Sequence, residues 1–203
     1  MSSSWLDSRA AFADAASWFV ATTALVGDRW SEPGLGEWDV RSLVGHTSRA
    51  LLTVEAYLDQ PADRVEVETA VAYFLQARSL ADDATVAERG RQAGEALGTD
   101  PAAVAGIATR VVARVERCAG DELVTTIAGG MRLADYLPTR TFELVVHTAD
   151  LAAAVGVAAE PPPGAAAQAL ELATRLAVES GTAARLLRAV TGREGLPAGW
   201  SVL

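Results

Sequence analysis

Arg140-Thr141-Phe142-Glu143-Leu144-Val145-Val146-His147-Thr148-Ala149-Asp150-Leu151 is the stretch from which the rest of this chain is read. Its apolar residues recur on almost every side, the pattern of a helix that is buried nearly all round. Four polar residues interrupt it. At about 100° per residue, Arg140, Glu143, His147 and Asp150 fall within roughly 80° of arc, at spacings of three, four and three. Glu143 and His147 stand one turn apart on that stripe, and a third ligand from another helix would close a divalent-metal site around them. The 203 residues contain only two histidines, so His46 is the one left to supply it. Blander readings stay open at this point. The stripe is either a solvent face laced with ordinary i,i+3 and i,i+4 ion pairs, or an inward face where a buried glutamate needs partners and a metal is the natural companion. His46 read alone is a hydrogen-bonded histidine at the edge of the apolar arc Leu43, Ala50, Val54 and Leu58.

Outward from this stretch the chain reads as helix after helix. Residues 4–27 carry Trp5, Phe12, Trp18, Phe19 and Leu25 in a helical pattern that ends at Gly27. A Gly- and Pro-rich loop, Glu32 to Gly36, leads to a second helix with Asp39 as N-cap, closed by Pro61. Residues 66–97 form one or two helical segments broken near Ala81-Asp82-Asp83, and Asp100-Pro101 starts another helix that runs to Cys118. The β-branched run from Glu122 to Leu133 predicts a short hairpin turning at Gly129-Gly130. The helix of the polar stripe spans 134–156. Beyond the linker Pro161-Pro162-Pro163-Gly164, one helix covers 165–190 before the tail.

Composition narrows the partners. Half of the residues are hydrophobic, enough to bury a substantial core as one domain or one domain with a small appendage. A net charge of -9 argues against nucleic acid or an anionic membrane, both of which need a basic face, and leaves a small molecule or a protein. All 17 basic residues are arginine, as expected of a high-GC genome, and that count carries no functional weight. The single cysteine, Cys118, excludes an intramolecular disulfide and fits a reducing cytoplasm, and its apolar helical setting reads as an inert thiol rather than a nucleophile. The N-terminus lacks the basic and apolar regions of a signal peptide, and no uncharged run is long enough to span a bilayer, so a cytoplasmic protein is expected.

Two segments, Gly36-Glu37-Trp38-Asp39-Val40-Arg41-Ser42-Leu43-Val44-Gly45-His46 and the Arg140 to Leu151 stretch, resemble the signature segments of the mycothiol-dependent maleylpyruvate isomerase-like proteins, within the DinB-like superfamily. The resemblance covers roughly residues 5–156. It implies an all-α, up-down four-helix bundle, here with extra helices and one short β-hairpin. It also implies that His46, Glu143 and His147 bind a divalent metal, commonly zinc. The bundle would occupy residues 1–156, with 157–203 a linker, C-terminal helix and tail packed on it rather than a full second domain. The isomerase of that family has a substantial second domain that helps to form its active site. The shared bundle and ligands therefore imply a thiol-linked metalloprotein more strongly than that isomerisation.

Two histidines and one glutamate leave a fourth zinc position open, as in catalytic rather than structural zinc. A mycothiol-like thiol entering there would be favoured as its thiolate, a nucleophile at neutral pH. The expected function is a metal-dependent enzyme that activates such a thiol for S-transfer to, or isomerisation of, a small electrophile. Arg140 and Asp150 are the expected catalytic residues. Arg140 either attracts an anionic substrate or pairs with Glu143 or Asp150, while Asp150 orients a ligand histidine. Two rivals stand beside this: a metal-dependent hydrolase that activates water, and a non-catalytic ligand-binding or regulatory bundle braced by its metal. A fourth protein ligand, Asp150 or Cys118, would favour bracing, and a deep pocket would favour catalysis. Whether the bundle forms a homodimer is left open.

Overall fold

A computed structural model describes residues 4–80 and 83–203. Among these, helices account for most of the chain: α1 (Trp5–Thr23), α2 (Val40–Leu58), α3 (Ala70–Leu80), α4 (Asp83–Leu97), α5 (Pro101–Val115), α6 (Leu133–Ala154), α7 (Pro163–Glu179) and α8 (Ala183–Val190). One antiparallel hairpin, β1 (Leu123–Thr126) and β2 (Gly129–Arg132), precedes α6. The helix starts follow local chemistry. Ser4 and Asp7 form a capping box on α1, Asp39 Oδ1 accepts from the Ser42 amide at 2.8 Å, and Asp100 caps α5 with Pro101 in its first turn. The break expected near Ala81-Asp82-Asp83 involves residues 81 and 82, which lie outside the described residues.

Four helices close a ring, α1 on α5 and α6, and α2 on α5 and α6, with Phe12, Phe19, Leu43, Leu51, Val111, Tyr136 and Leu144 wholly buried between them. Burying each such large side chain contributes about 1.5–3 kcal/mol relative to leaving it in water. A fifth helix, α4, lies against α2 so closely that only glycine fits. A Cβ on Gly45 would come within 2.1 Å of the Gly94 nitrogen, and one on Gly94 within 2.6 Å of the Arg41 carbonyl oxygen. This contact sets α4 beside the His46 face of α2.

Four sequence expectations need correction. The first helix stops at Thr23, short of Gly27, which takes a left-handed conformation in the following turn (φ 64°). The helix begun at Asp100 ends at Val115, short of Cys118. The hairpin turns at Ile127-Ala128, where the Thr126 hydroxyl donates to the Gly129 carbonyl and accepts from the Ala128 amide. Gly129 and Gly130 lie in β2 because the 62–67 segment runs against it, and a Cβ on Gly130 would meet the Arg64 carbonyl oxygen at 2.1 Å. Finally, residues 165–190 are two helices. Gly181 adopts φ 70° and the Thr182 amide donates back to the Ala177 carbonyl, which ends α7. Helix α7 packs on α1 and α6, with Gln168 donating to the Ser8 hydroxyl at 2.9 Å, whereas α8 has no buried residue.

Candidate metal centre

Helices α2 and α6 cross the bundle side by side, and each delivers its chemistry-bearing residues to the same depth. His46 follows the Asp39 cap by two turns of α2. Trp38, just before that cap, lies against the His46 ring at 4.5 Å between centroids, and its indole N–H donates to the Ala87 carbonyl of α4 at 3.2 Å. From α6 come Glu143 and His147. The two imidazoles meet edge to face at 4.6 Å, and both present Nε2 to Glu143 Oε2, at 3.9 Å from His46 and 3.3 Å from His147. One ligand atom from each of the three residues lies within 4.8 Å of the others, so the group could hold a metal ion. Ligands about 2.0–2.2 Å from a tetrahedral ion stand about 3.3–3.6 Å apart; the His147–Glu143 separation of 3.3 Å meets this and the His46–Glu143 separation of 3.9 Å exceeds it by a few tenths of an ångström. The three side chains are only 15–19% exposed.

Asp150, one turn beyond His147, places Oδ2 3.1 Å from His147 Nδ1. That leaves Nε2 facing Glu143, the carboxylate–histidine arrangement that fixes the tautomer and orientation of a ligand imidazole. His46 has no such support. Its Nδ1 is buried without a hydrogen-bond partner among the described residues, and the face of Trp38 holds the ring instead.

The electrostatics follow from this geometry in the metal-free protein. Burial lowers the His46 pKa to about 4, helped by the charge of His147, so His46 is neutral across the physiological range. For His147 burial also acts downward, but hydrogen bonds to Asp150 and Glu143 and the charges of both carboxylates raise it to about 9. Burial would raise Glu143, yet the hydrogen bond from His147 and the charges of Arg140 and His147 bring it down to about 2. The Nε2 proton of His147, held toward Glu143, thus sits where a cation would bind.

The polar stripe does not face solvent as a surface of ion pairs. Arg140 is 8% exposed and pairs with neither Glu143 nor Asp150 within 4 Å. Its guanidinium lies over the rings of Tyr73 and Tyr136, at 5.4 and 5.0 Å, and donates to Thr139 Oγ1 at 2.9 Å. Tyr57 packs on Tyr136, so all three tyrosines of the chain gather here. A cavity of about 260 Å³ opens beside the cluster, lined by His46, Glu143, Arg140, Tyr57, Tyr73, Arg49, Arg89 and others, with Ile127 from the hairpin tip at its wall.

All five residues singled out in the sequence therefore lie in one region. Sequence reasoning missed Trp38, Arg49, Arg89, Tyr57 and Tyr73. The glycines Gly90 and Gly94, four apart in α4, were the one available signal that this helix would dock tightly beside His46. Cys118 lies elsewhere, three residues past the end of α5, where its thiol donates to the Arg114 carbonyl and burial raises its pKa. Among the described residues no helix is long and apolar enough to cross a membrane.

No curated protein and no solved structure matches the chain. Residues 8–152, a span that holds the whole His-Glu-His cluster, match the mycothiol maleylpyruvate isomerase N-terminal domain, and the chain belongs to that family.

Proposed function

We propose that this protein is a zinc-dependent enzyme that activates a low-molecular-weight thiol, mycothiol or a close relative, for transfer to or isomerisation of a small electrophile in the cytoplasm. The observation that carries the reading is the three-residue donor set beside a cavity, in a chain of this family. His46, Glu143 and His147 would hold the ion through Nε2, Oε2 and Nε2. Bound there, zinc would supply the Lewis acidity that favours thiolate over thiol at neutral pH. Asp150 keeps His147 Nε2 aimed inward, and Trp38 does the same for His46 by packing. Arg140 offers a positive charge on the cavity wall, where it would hold a negatively charged part of the substrate. The bundle of residues 1–156 would carry this machinery, with 157–203 laid against it.

The metal-braced alternative needs a fourth protein ligand. Asp150 is engaged with His147 Nδ1 and Cys118 is bonded to Arg114 at the far end of α5, so neither of the two foreseen is placed for that role. The adjoining cavity supports catalysis instead.

Elemental analysis should find about one zinc per chain, lost in His46→Ala, Glu143→Ala and His147→Ala, because three ligands are the least a catalytic zinc site uses. The metal-loaded protein should then conjugate mycothiol to a reactive electrophile. Full metal content in His46→Ala, or conjugation rates that a chelator leaves unchanged, would overturn the assignment.

A further inference from the structure

A second cavity, of about 280 Å³, lies where the start of α6 meets α1, α3 and α7. The His-Glu-His cluster has no part in it: Asp135, on its wall, precedes Glu143 by eight residues, about 12 Å along α6. Its polar groups are mostly acceptors short of donors. Gln168 of α7 is only 8% exposed and commits its amide Nε2 to the Ser8 hydroxyl, while its Oε1 is buried without a partner among the described residues. That is a costly state for an amide oxygen, and one that a ligand's N–H relieves. Pro138, inside α6, has no amide hydrogen to return to the Ala134 carbonyl, and both residues line the cavity. The Asp135 carboxylate stands 3.8 Å from Arg132, and burial, offset only in part by that arginine, pushes its carboxyl above the usual value. Arg175, the arginine on the wall, is engaged with Glu171 at 2.9 Å. Val71, Leu172 and the Pro138 ring make the wall between these groups apolar.

We infer that this cavity binds a small primary ammonium ion with a short apolar tail, its N–H groups donating to the Asp135 carboxylate, Gln168 Oε1 and the Ala134 carbonyl. An ammonium brings three donors and no acceptor, which is what this set of groups lacks, and its hydrogen bond to a carboxylate is of the strong, charge-assisted kind. Its tail would lie against Val71 and Leu172. The net charge of -9 favours a cation over an anion at such a site. Gln168 and Leu172 lie beyond residue 152, so the site is built jointly by the family domain and the segment that follows it. It depends on neither the metal nor the thiol.

The test titrates n-butylammonium, tetramethylammonium and 1-butanol into chelator-stripped protein by calorimetry at neutral pH. n-Butylammonium should bind saturably at one site per chain. Tetramethylammonium has the charge but no N–H, and 1-butanol has the tail but no charge, so each should bind at least about 10-fold more weakly, the loss expected when hydrogen bonds to a charged group are not made. Asp135→Asn and Gln168→Leu should each weaken n-butylammonium binding by about 10- to 100-fold, the same scale, while Glu37→Gln in the exposed loop before α2 changes nothing. Asp135→Asn keeps the shape of a side chain that is 33% exposed, so its result decides the matter if Gln168→Leu fails to fold. Adding zinc should leave the affinity as it was, since the metal centre is a separate site. Absence of n-butylammonium binding, equal binding of tetramethylammonium or 1-butanol, an affinity unchanged in Asp135→Asn, or displacement of the amine by zinc would overturn the inference.

Discussion

Asp150→Asn is the most discriminating perturbation of the centre, because Asp150 acts on His147 in two opposing ways. Its carboxylate makes the His147 ring a better donor to a cation and also a better base. In the metal-free protein His147 has a pKa of about 9, so at pH 7 a metal must displace a proton held about two pH units too tightly, a penalty of about 100-fold in apparent affinity. Wild-type zinc affinity should therefore fall about tenfold per pH unit from pH 9 down to about pH 6, with one proton released per ion bound. Asparagine can still accept from Nδ1 across the 3.1 Å gap, so the ring stays oriented while the charge is lost. Above pH 9 the variant should bind about 10-fold more weakly, the low end for a partner of a ligand imidazole, since the Asp150 side chain is 31% exposed. Near pH 6 the difference should shrink, because the variant's His147 gives up its proton more readily. Competition with a fluorescent chelator between pH 6 and 9, corrected for protonation of the chelator itself, measures both slopes. An affinity independent of pH in the wild type, or a deficit in Asp150→Asn that is constant across the range, would refute the argument.

Two further outcomes are expected. Stability of the chelator-stripped protein should peak near pH 6.5 as far as the two histidines decide it. Below that, protons bind the unfolded chain but not His46 until about pH 4, so stability falls with falling pH. Above it, His147 stays protonated only in the fold until about pH 9, so the stability it contributes is lost as pH rises; urea midpoints against pH read both limbs, and a monotonic profile would contradict them. Gly45→Ala should lower stability by about 1–3 kcal/mol or more, because its Cβ would meet the Gly94 backbone at 2.1 Å and outweigh the helix propensity gained, whereas Gly106→Ala on α5, with nothing within 4 Å, should gain up to about 1 kcal/mol in thermal or urea unfolding.

The centre was legible in the sequence to the extent that its parts are local. Glu143, His147 and Asp150 share one helix face by spacing alone, and the scarcity of histidine together with the family resemblance pointed to His46. Arg140 was singled out for the right region, but whether it paired within the stripe could not be read, since its ring partner Tyr73 comes from α3, 67 residues away. The hairpin was foreseen and its turn misplaced. Paired glycines are the usual turn signal, and here they are required by a neighbouring segment that local pattern does not reveal.

Periodicity and capping chemistry, which act over a few residues, were enough to determine where α1, α2, α5 and α6 begin and the polar stripe of α6. Tertiary structure decided what those helices enclose. The Gly45–Gly94 contact brings α4 onto α2, and with it Arg89 to the cavity that Arg49 and Arg140 also line. No spacing rule predicts that meeting, because it depends on how close two backbones can approach, which only the packed fold defines.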